Sequence, residues 1–273
     1  MPELPEVETV CRTLNERLNG VRILEVRVIE DRLRRPVAAD FASRLEGRTV
    51  QAVNRRGKYI LAALDGGWTW VSHLGMSGKL VFRPRGASLE KHDHIVFGLS
   101  DGGELRYHDP RRFGMCVVLP EGEVAAWPPL ADLGIDPLDR GFTAGYLYPL
   151  LHRSRRSIRD LLLDQRIVCG LGNIYINEVL HRTRVRPTRR GHRVSRALTR
   201  ELADAIPALL REAIRWRGSS VSDYRDGNDQ RGGFQWRLQV YDRKGAPCRT
   251  CATPIKRIGL GNRGVFYCPV CQR

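Results

Sequence analysis

Two Cys-x-x-Cys pairs near the C-terminus constrain this chain more than any other feature. Cys248 and Cys251 form one pair and Cys268 and Cys271 the other, with sixteen residues between them. Four thiolates at that spacing match a tetrahedral structural zinc site of ribbon type, two knuckles joined by a hairpin. Two disulfides would suit a secreted protein, and a redox Cys-x-x-Cys would not come as a matched pair. Four sulfur ligands leave no open coordination position, so such an ion organises the hairpin and does no chemistry. Between the knuckles lie Lys256, Arg257, Asn262, Arg263 and Gly264. This basic tip reads either as a solvated turn or as a finger that grips phosphate. Cys11, Cys116 and Cys169 have no partner pattern and read as buried small apolar residues.

Charge is the second constraint. The 273-residue chain carries a formal net charge of +16, and its basic residues are almost all arginine. A positive excess spread through the folded part implies a polyanionic partner. Nucleic acid stands ahead of a membrane surface, because no basic amphipathic helix with an aromatic face is present. No apolar run approaches the ~18–20 residues needed to span a bilayer, and no leader pattern is seen. A cytoplasmic, reducing location is the expectation.

Residues 21–120 read as short strands. Leu24, Val26 and Val28 alternate, as do Ile95, Phe97 and Leu99, and Gly-containing turns fall at Asp65-Gly66-Gly67 and Ser100-Asp101-Gly102-Gly103. Antiparallel hairpins in a sandwich or barrel follow. The prolines from Trp127-Pro128-Pro129 to Pro149 suggest a linker. Beyond residue 154 the period becomes helical: around Ile158 to Leu162, from Ile174 to Leu180, and from Ser195 to Trp216, where Pro207 should kink or interrupt the helix. The stretch from Gly218 to Gly233 is either a mobile functional loop or a solvated connector.

The start of the chain, MPELPE, raises a separate question. Pro5 suits the first helical position, Glu6 and Glu8 the first turn, and the stripe Val7, Val10, Cys11, Leu14 and Leu18 continues the helix to Asn19-Gly20. Pro2 and Glu3 are left unexplained by helix punctuation. His73 invites a ligand or general-base reading, although a lone histidine beside a glycine turn is more often structural. Met76 and Phe113 read as core, or as wedges for a base stack, since each lies in a Gly-containing loop beside polar residues.

The stretches MPELPEVET, RRGKY, HLGMSG, EKHDH, DPRRFG, GLGNIY and RGVFYCPVCQ, in that order along the whole chain, closely resemble the bacterial formamidopyrimidine-DNA glycosylases. Endonuclease VIII shares the architecture but typically has glycine after the first Pro-Glu, whereas Leu4 stands here. The resemblance implies an α+β fold. Its parts would be an N-terminal helix with an antiparallel β-sandwich, a helical domain with a helix–two-turn–helix motif, and a C-terminal zinc-ribbon β-hairpin. The expected division is a catalytic domain over 1–130, a linker over 131–153, a helical DNA-binding domain over 154–238 and a zinc finger over 239–273.

The implied activity is removal of oxidised purines (8-oxoguanine and formamidopyrimidines) from double-stranded DNA, followed by strand cleavage through β,δ-elimination. The alternatives are an endonuclease VIII-like enzyme acting on oxidised pyrimidines and a zinc-ribbon DNA-binding protein without catalysis. The family's roles fall on Pro2 as the Schiff-base nucleophile, Glu3 as general acid/base, Lys58 for β-elimination and Arg263 for δ-elimination, with Glu6 in support. Met76, Arg111 and Phe113 match the trio that fills the gap left by a flipped nucleotide. His92, Asn173 and Arg263 match phosphate-contacting positions. A family contact lysine aligns with Ser154, where Arg153 or Arg155 is the available substitute. One structural zinc, a monomeric state and no membrane association complete the expectation.

Overall fold

The computed structural model describes residues 2–273. The chain divides into two compact units. One comprises residues up to Ala131 together with Trp216–Gln235, and the other Asp132–Arg215 together with Trp236–Arg273. Two expected boundaries change as a result. Residues 131–153, expected to be a linker, belong almost wholly to the second unit and carry a helix of it. Residues 216–235, expected to lie in the helical part, pack with the N-terminal unit. Proline content misleads in the first case, since Pro149 sits inside that helix.

In the N-terminal unit, α1 (Leu4–Leu18) buries the stripe that its spacing predicts, with Val7, Val10, Cys11, Leu14 and Leu18 in the main core. One four-stranded sheet runs β1 (Ile23–Val28), β6 (Asp93–Leu99), β7 (Gly103–His108), β5 (Lys79–Pro84). The other runs β2 (Val50–Arg56), β3 (Tyr59–Leu64), β4 (Trp68–His73), β8 (Met115–Pro120). Every pairing within these two sheets is antiparallel. The expected alternation in β1 is broken. Its register shifts between Ile23 and Glu25, so Ile23 and Val26 are buried while Leu24 faces out. Two one-turn helices follow, α2 (Glu121–Val124) and α3 (Pro128–Ala131). The inner residues of both sheets, among them Ile60, Trp70, Leu80, Phe97 and Leu105, join the stripe of α1 in one hydrophobic cluster. Burial of that apolar surface is the main force that fixes α1 in place.

The C-terminal unit contains α4 (Ala144–His152), α5 (Ile158–Leu163), α6 (Asn173–Arg182) and α7 (Arg196–Arg215), then the hairpin of β9 (Lys256–Leu260) and β10 (Arg263–Tyr267). Helix α7 runs through Pro207 without a break. Its fully buried Leu202, Ile206 and Leu210 outweigh the backbone hydrogen bond that proline removes. No helix is long and apolar enough to cross a membrane among the described residues.

The segment after α7 is neither a bare connector nor an open loop. Asp226, 1% exposed, accepts the N–H groups of Asn228 and Gln230 at 2.9 and 3.0 Å and pairs with Arg217. Phe82 of β5 donates its N–H to the Gly227 carbonyl at 3.0 Å. Arg83 binds Asp229 at 2.9 Å.

Candidate active site

Helix α1 begins at a capping box, and Glu3 is its N-cap. The Glu3 N–H donates to a Glu6 carboxylate oxygen at 2.8 Å. The other Glu6 oxygen accepts the Ser219 N–H at 2.7 Å. Tyr224 adds a hydroxyl bond to the Glu6 carbonyl at 3.3 Å. Glu6 is 1% exposed and Glu3 3%, and Pro2 is buried as well. Glycine is required at position 218, beside this carboxylate. Its φ of +77° lies in the left-handed region, and a Cβ there would fall 2.7 Å from Glu6 Oε1. The chain start is thus held by one buried carboxylate that serves two backbone segments. Helix capping, read from the sequence as starting at Pro5, includes Glu3.

Lys58 lies in the turn between β2 and β3 and is 7% exposed. Arg55 donates to Glu8 of α1 at 3.1 Å and to the Gly57 carbonyl at 2.9 Å, so the turn that carries Lys58 is fastened to the first turns of the helix. Asn15 accepts the Val53 N–H at 2.8 Å and extends that attachment along β2. His73 is structural: its Nδ1 accepts the Gly75 N–H at 3.0 Å. Burial, with the Lys58 and Arg34 cations adding to it, pushes the His73 ring down to about 4, so it is neutral at physiological pH.

Met76, Arg111 and Phe113 stand on two loops that Asp109 binds together. The Asp109 carboxylate is fully buried and accepts Ser77 Oγ at 2.7 Å and the Gly114 N–H at 2.8 Å. Its own N–H donates to the His92 carbonyl at 3.0 Å. Met76 and Phe113 remain 40% and 45% exposed, and the Arg111 guanidinium lies 4.7 Å from the Phe113 ring centre. Both apolar side chains are thus left partly exposed on loops that a buried carboxylate ties together. His92 sits edge-on to His108, with ring centres 5.8 Å apart. Partial burial, then His108 and Lys91, hold its ring below the ordinary histidine range.

In the C-terminal unit the four cysteine sulfurs all lie within 4.8 Å of one another. The Cys251–Cys268 and Cys251–Cys271 separations are 3.4 Å, and Cys248–Cys271 is 3.9 Å. Zn–S bonds of about 2.3 Å in a tetrahedron put sulfurs ~3.8 Å apart, so the donor set fits one structural Zn²⁺. Burial and three neighbouring sulfurs push Cys271 up to about 12, whereas hydrogen bonds with Thr253 bring Cys251 down to about 6. A divalent cation supplies the charge that lets all four ionise together. His181 Nε2 lies 3.6 Å from Cys248 Sγ and steadies it from α6.

Helix α6 fixes the zinc hairpin through side chains that the sequence reading did not single out. Asn177 Oδ1 accepts the Phe266 N–H at 2.7 Å. Glu178, 3% exposed, accepts the N–H groups of Gln239, Val240 and Tyr241 at 2.8, 3.0 and 2.8 Å. Both stand within the apolar stripe of α6, and that misplacement of polar residues is the signal that could have found them. Asn173 opens α6 and donates to the Gly264 carbonyl at 2.9 Å, beside Arg263 at the exposed hairpin tip. Arg159 in turn donates to Asn173 Oδ1 at 3.1 Å. Arg153, Ser154 and Arg155 lie between α4 and α5, with both arginines exposed.

Comparison with known proteins resolves what these two arrangements have in common. The chain matches the family models for the formamidopyrimidine-DNA glycosylase N-terminal domain over residues 1–116 and its H2TH domain over 133–225. A zinc finger found in FPG and IleRS matches over 245–273. The chain belongs to the formamidopyrimidine-DNA glycosylase family. A relative from Thiobacillus denitrificans is 45% identical over 273 residues, and one from Bradyrhizobium is 43% identical over 298, each covering 100% of both chains. Among solved structures, a Lactococcus lactis Fpg mutant in complex with a Fapy-dG containing DNA superposes with a TM-score of 0.94 at 34% identity, covering 100% of both chains. The Thermus thermophilus Fpg protein gives 0.90 at 38%, covering 99% of this chain and 98% of that one. In this family member the four cysteines are the ligands of one structural zinc ion.

Proposed function

We propose that this chain excises oxidised purines, 8-oxoguanine and formamidopyrimidines, from duplex DNA and then cleaves the strand at the abasic site. It is a DNA glycosylase of base-excision repair, with the lyase activity typical of its family. The observation that carries the reading is the buried Pro2-Glu3 start, fastened by Glu6 to the first turn of α1 and to Ser219.

Removal of Met1 frees the secondary amine of Pro2. An α-amino group titrates at ~7.7–8.0, so an appreciable neutral fraction exists where a lysine, at ~10.4, has almost none. The amine attacks the sugar C1′, the bond from C1′ to the base breaks, and Glu3 serves the proton transfers to the departing base and the ring oxygen. The resulting iminium is permanently cationic and draws electrons from C2′. Loss of the C2′ proton expels the 3′ phosphate, with Lys58 as the assisting group. A further elimination, assisted by Arg263, expels the 5′ phosphate.

Met76, Arg111 and Phe113 occupy the gap left by the flipped nucleotide, because neither C1′ nor the base is reachable inside the stack. Their exposure on loops bound by Asp109 supports that role. His92, Asn173, Arg263 and the arginines flanking Ser154 take phosphates. The zinc ion, with four sulfur ligands and no open position, does no chemistry itself and serves to hold the hairpin that presents Arg263. The unit up to Ala131 is the catalytic part and the unit from Asp132 the DNA-gripping part, and the chain acts as a monomer in the bacterial cytoplasm.

Borohydride trapping on an 8-oxoguanine duplex is the test. A covalent adduct is expected with the wild type and none with Pro2→Gly or an N-terminally blocked form. Equal trapping by the blocked form would overturn the nucleophile, and stronger trapping on thymine glycol opposite adenine would move the chain to the oxidised-pyrimidine branch.

A further inference from the structure

An open concavity of about 660 Å³ in the C-terminal unit is lined by His152, Arg153, Arg155, Arg190, His192 and Arg193. One wall is the end of α4 and the connection to α5. The other is the short 3-10 turn Gly191–Arg193 with the residue before it. The walls are fastened to each other through the backbone. Gly191 N–H donates to the Arg156 carbonyl and His192 N–H to the Ser154 carbonyl, both at 2.9 Å, and Ile158 N–H to the Arg189 carbonyl at 2.7 Å. The approach is so close that a Cβ at position 191 would lie 2.5 Å from the Leu151 carbonyl oxygen and from Leu161 Cδ1. The fold therefore drives two basic segments together and holds them there.

Neutralising carboxylates are engaged elsewhere. Asp160 pairs with Arg159 at 2.9 Å, and Asp164 takes Arg156 and Arg166 at 2.9 and 3.1 Å. Arg190 donates to the Arg155 carbonyl at 3.0 Å, a bond that leaves its charge uncompensated. The C-terminal end of α4 favours cations at His152 and Arg153 through the helix dipole. That effect gives no account of Arg190, His192 and Arg193 on the facing wall. His152 is further ordered by stacking on Tyr148, with ring centres 5.0 Å apart, and Arg196 lies 4.4 Å over the same ring. A concave cluster of guanidinium groups on a fixed backbone, with no carboxylate partner among the described residues, lowers its repulsion by taking a phosphate, whose oxygens match the planar fork.

We propose that this concavity is a phosphate-binding site that takes a phosphodiester of the duplex backbone, in addition to the phosphate positions assigned above. The proposal rests on the DNA reading of the preceding subsection for the identity of the polyanion. Arg153 and Arg155 join the site to those positions, whereas Arg190, His192 and Arg193 extend them.

The test is the salt dependence of binding to a lesion-free duplex, measured for the wild type, for Arg190→Ala/Arg193→Ala and for Arg190→Lys/Arg193→Lys. The alanine pair is expected to flatten the slope of log K against log salt by about 0.9 for each phosphate no longer neutralised. The lysine pair keeps the charge and should keep most of the slope, which separates removal of charge from damage to the fold. Inorganic phosphate, titrated at constant ionic strength, is expected to compete with the duplex for the wild type and less so for the alanine pair. An alanine-pair slope equal to the wild type's overturns the proposal. So does loss of inorganic phosphate binding with the slope unchanged, which would identify a site for free phosphate. Borohydride trapping by the wild type, run on a lesion duplex in parallel, reports on the chemistry separately: it can fail while the slope difference stands, and the reverse.

Discussion

The two functional regions of this chain are held still by different means. At its start a single buried carboxylate, Glu6, receives the N–H groups of Glu3 and Ser219 and so ties the helix to the segment after α7. Near its end four sulfurs enclose a zinc site, and α6 adds Asn177, Glu178 and His181 around it. The first arrangement buries what it positions, with Pro2 and Glu3 out of solvent. The second exposes what it positions, with Arg263 at an open tip. On the function proposed above, burial suits an amine that attacks in its neutral form, whereas exposure suits a guanidinium that takes a phosphate. Hydrogen bonds suffice for the first because the core of the N-terminal unit already fixes α1. The hairpin has only a small cluster around Val240, Ile255 and Phe266. A metal is what a small hairpin needs to stay folded.

The largest effect should follow from removing the metal. Structural zinc contributes about 10–16 kcal/mol in isolated fingers, so Cys248→Ser or a strong chelator should disorder the hairpin and abolish duplex binding. Circular dichroism of the sandwich strands and the melting of the N-terminal unit should barely change. Unaltered binding by metal-free protein would erase the contrast between the two regions.

Next comes Glu6→Ala, which leaves two buried N–H groups without their acceptor and should cost about 2–4 kcal/mol. Hydrogen exchange at Glu3 and Ser219 should accelerate together, and trapping by Pro2 should slow with zinc content unchanged. Independent behaviour of the two amides would show that Glu6 does not couple them.

A smaller effect depends on pH. His73 has its folded value pushed down to about 4 from an ordinary ~6.5. The folded state therefore holds fewer protons between those values. Its stabilisation is complete above pH ~6.5 and is lost as pH falls toward about 4, by up to about 3 kcal/mol. The stability difference between wild type and His73→Asn should shrink across that window. Asp164 of the other unit, held down to about 2 chiefly by its Arg166 hydrogen bond, begins to lose its contribution only below pH ~3.8. A His73→Asn difference that is flat from pH 7 to 4 would refute the buried neutral ring.

Much of this is legible in the sequence, for identifiable reasons. Cysteine spacing is local, so the zinc ribbon can be read directly. The alternating Ile95, Phe97 and Leu99 of β6 and the stripe of α1 follow from burial against one core, and both stand where the pattern puts them. The same pattern fails in β1, where a register shift turns Leu24 outward. The Asp109 junction is only half visible: DPRRFG and HLGMSG stand out as motifs, but nothing local says that Ser77 binds Asp109 across 32 residues. Glu6 to Ser219 and Glu178 to Gln239–Tyr241 are likewise long-range pairings of a side chain with backbone amides, which no residue pattern encodes. Proline misleads as a linker at 131–153, and of the kink or interruption expected at Pro207 the interruption does not occur, because packing of the apolar face outweighs the local penalty.

The central claim is that the buried chain start is the nucleophile, and the site of the borohydride adduct tests it most directly. The wild type is incubated with an 8-oxoguanine duplex and borohydride, digested with protease and nuclease, and the adduct is located by mass spectrometry. The sugar remnant should lie on the peptide that begins at Pro2, with Met1 absent. A remnant on Lys58, or an adduct formed by protein that retains Met1, would contradict the account.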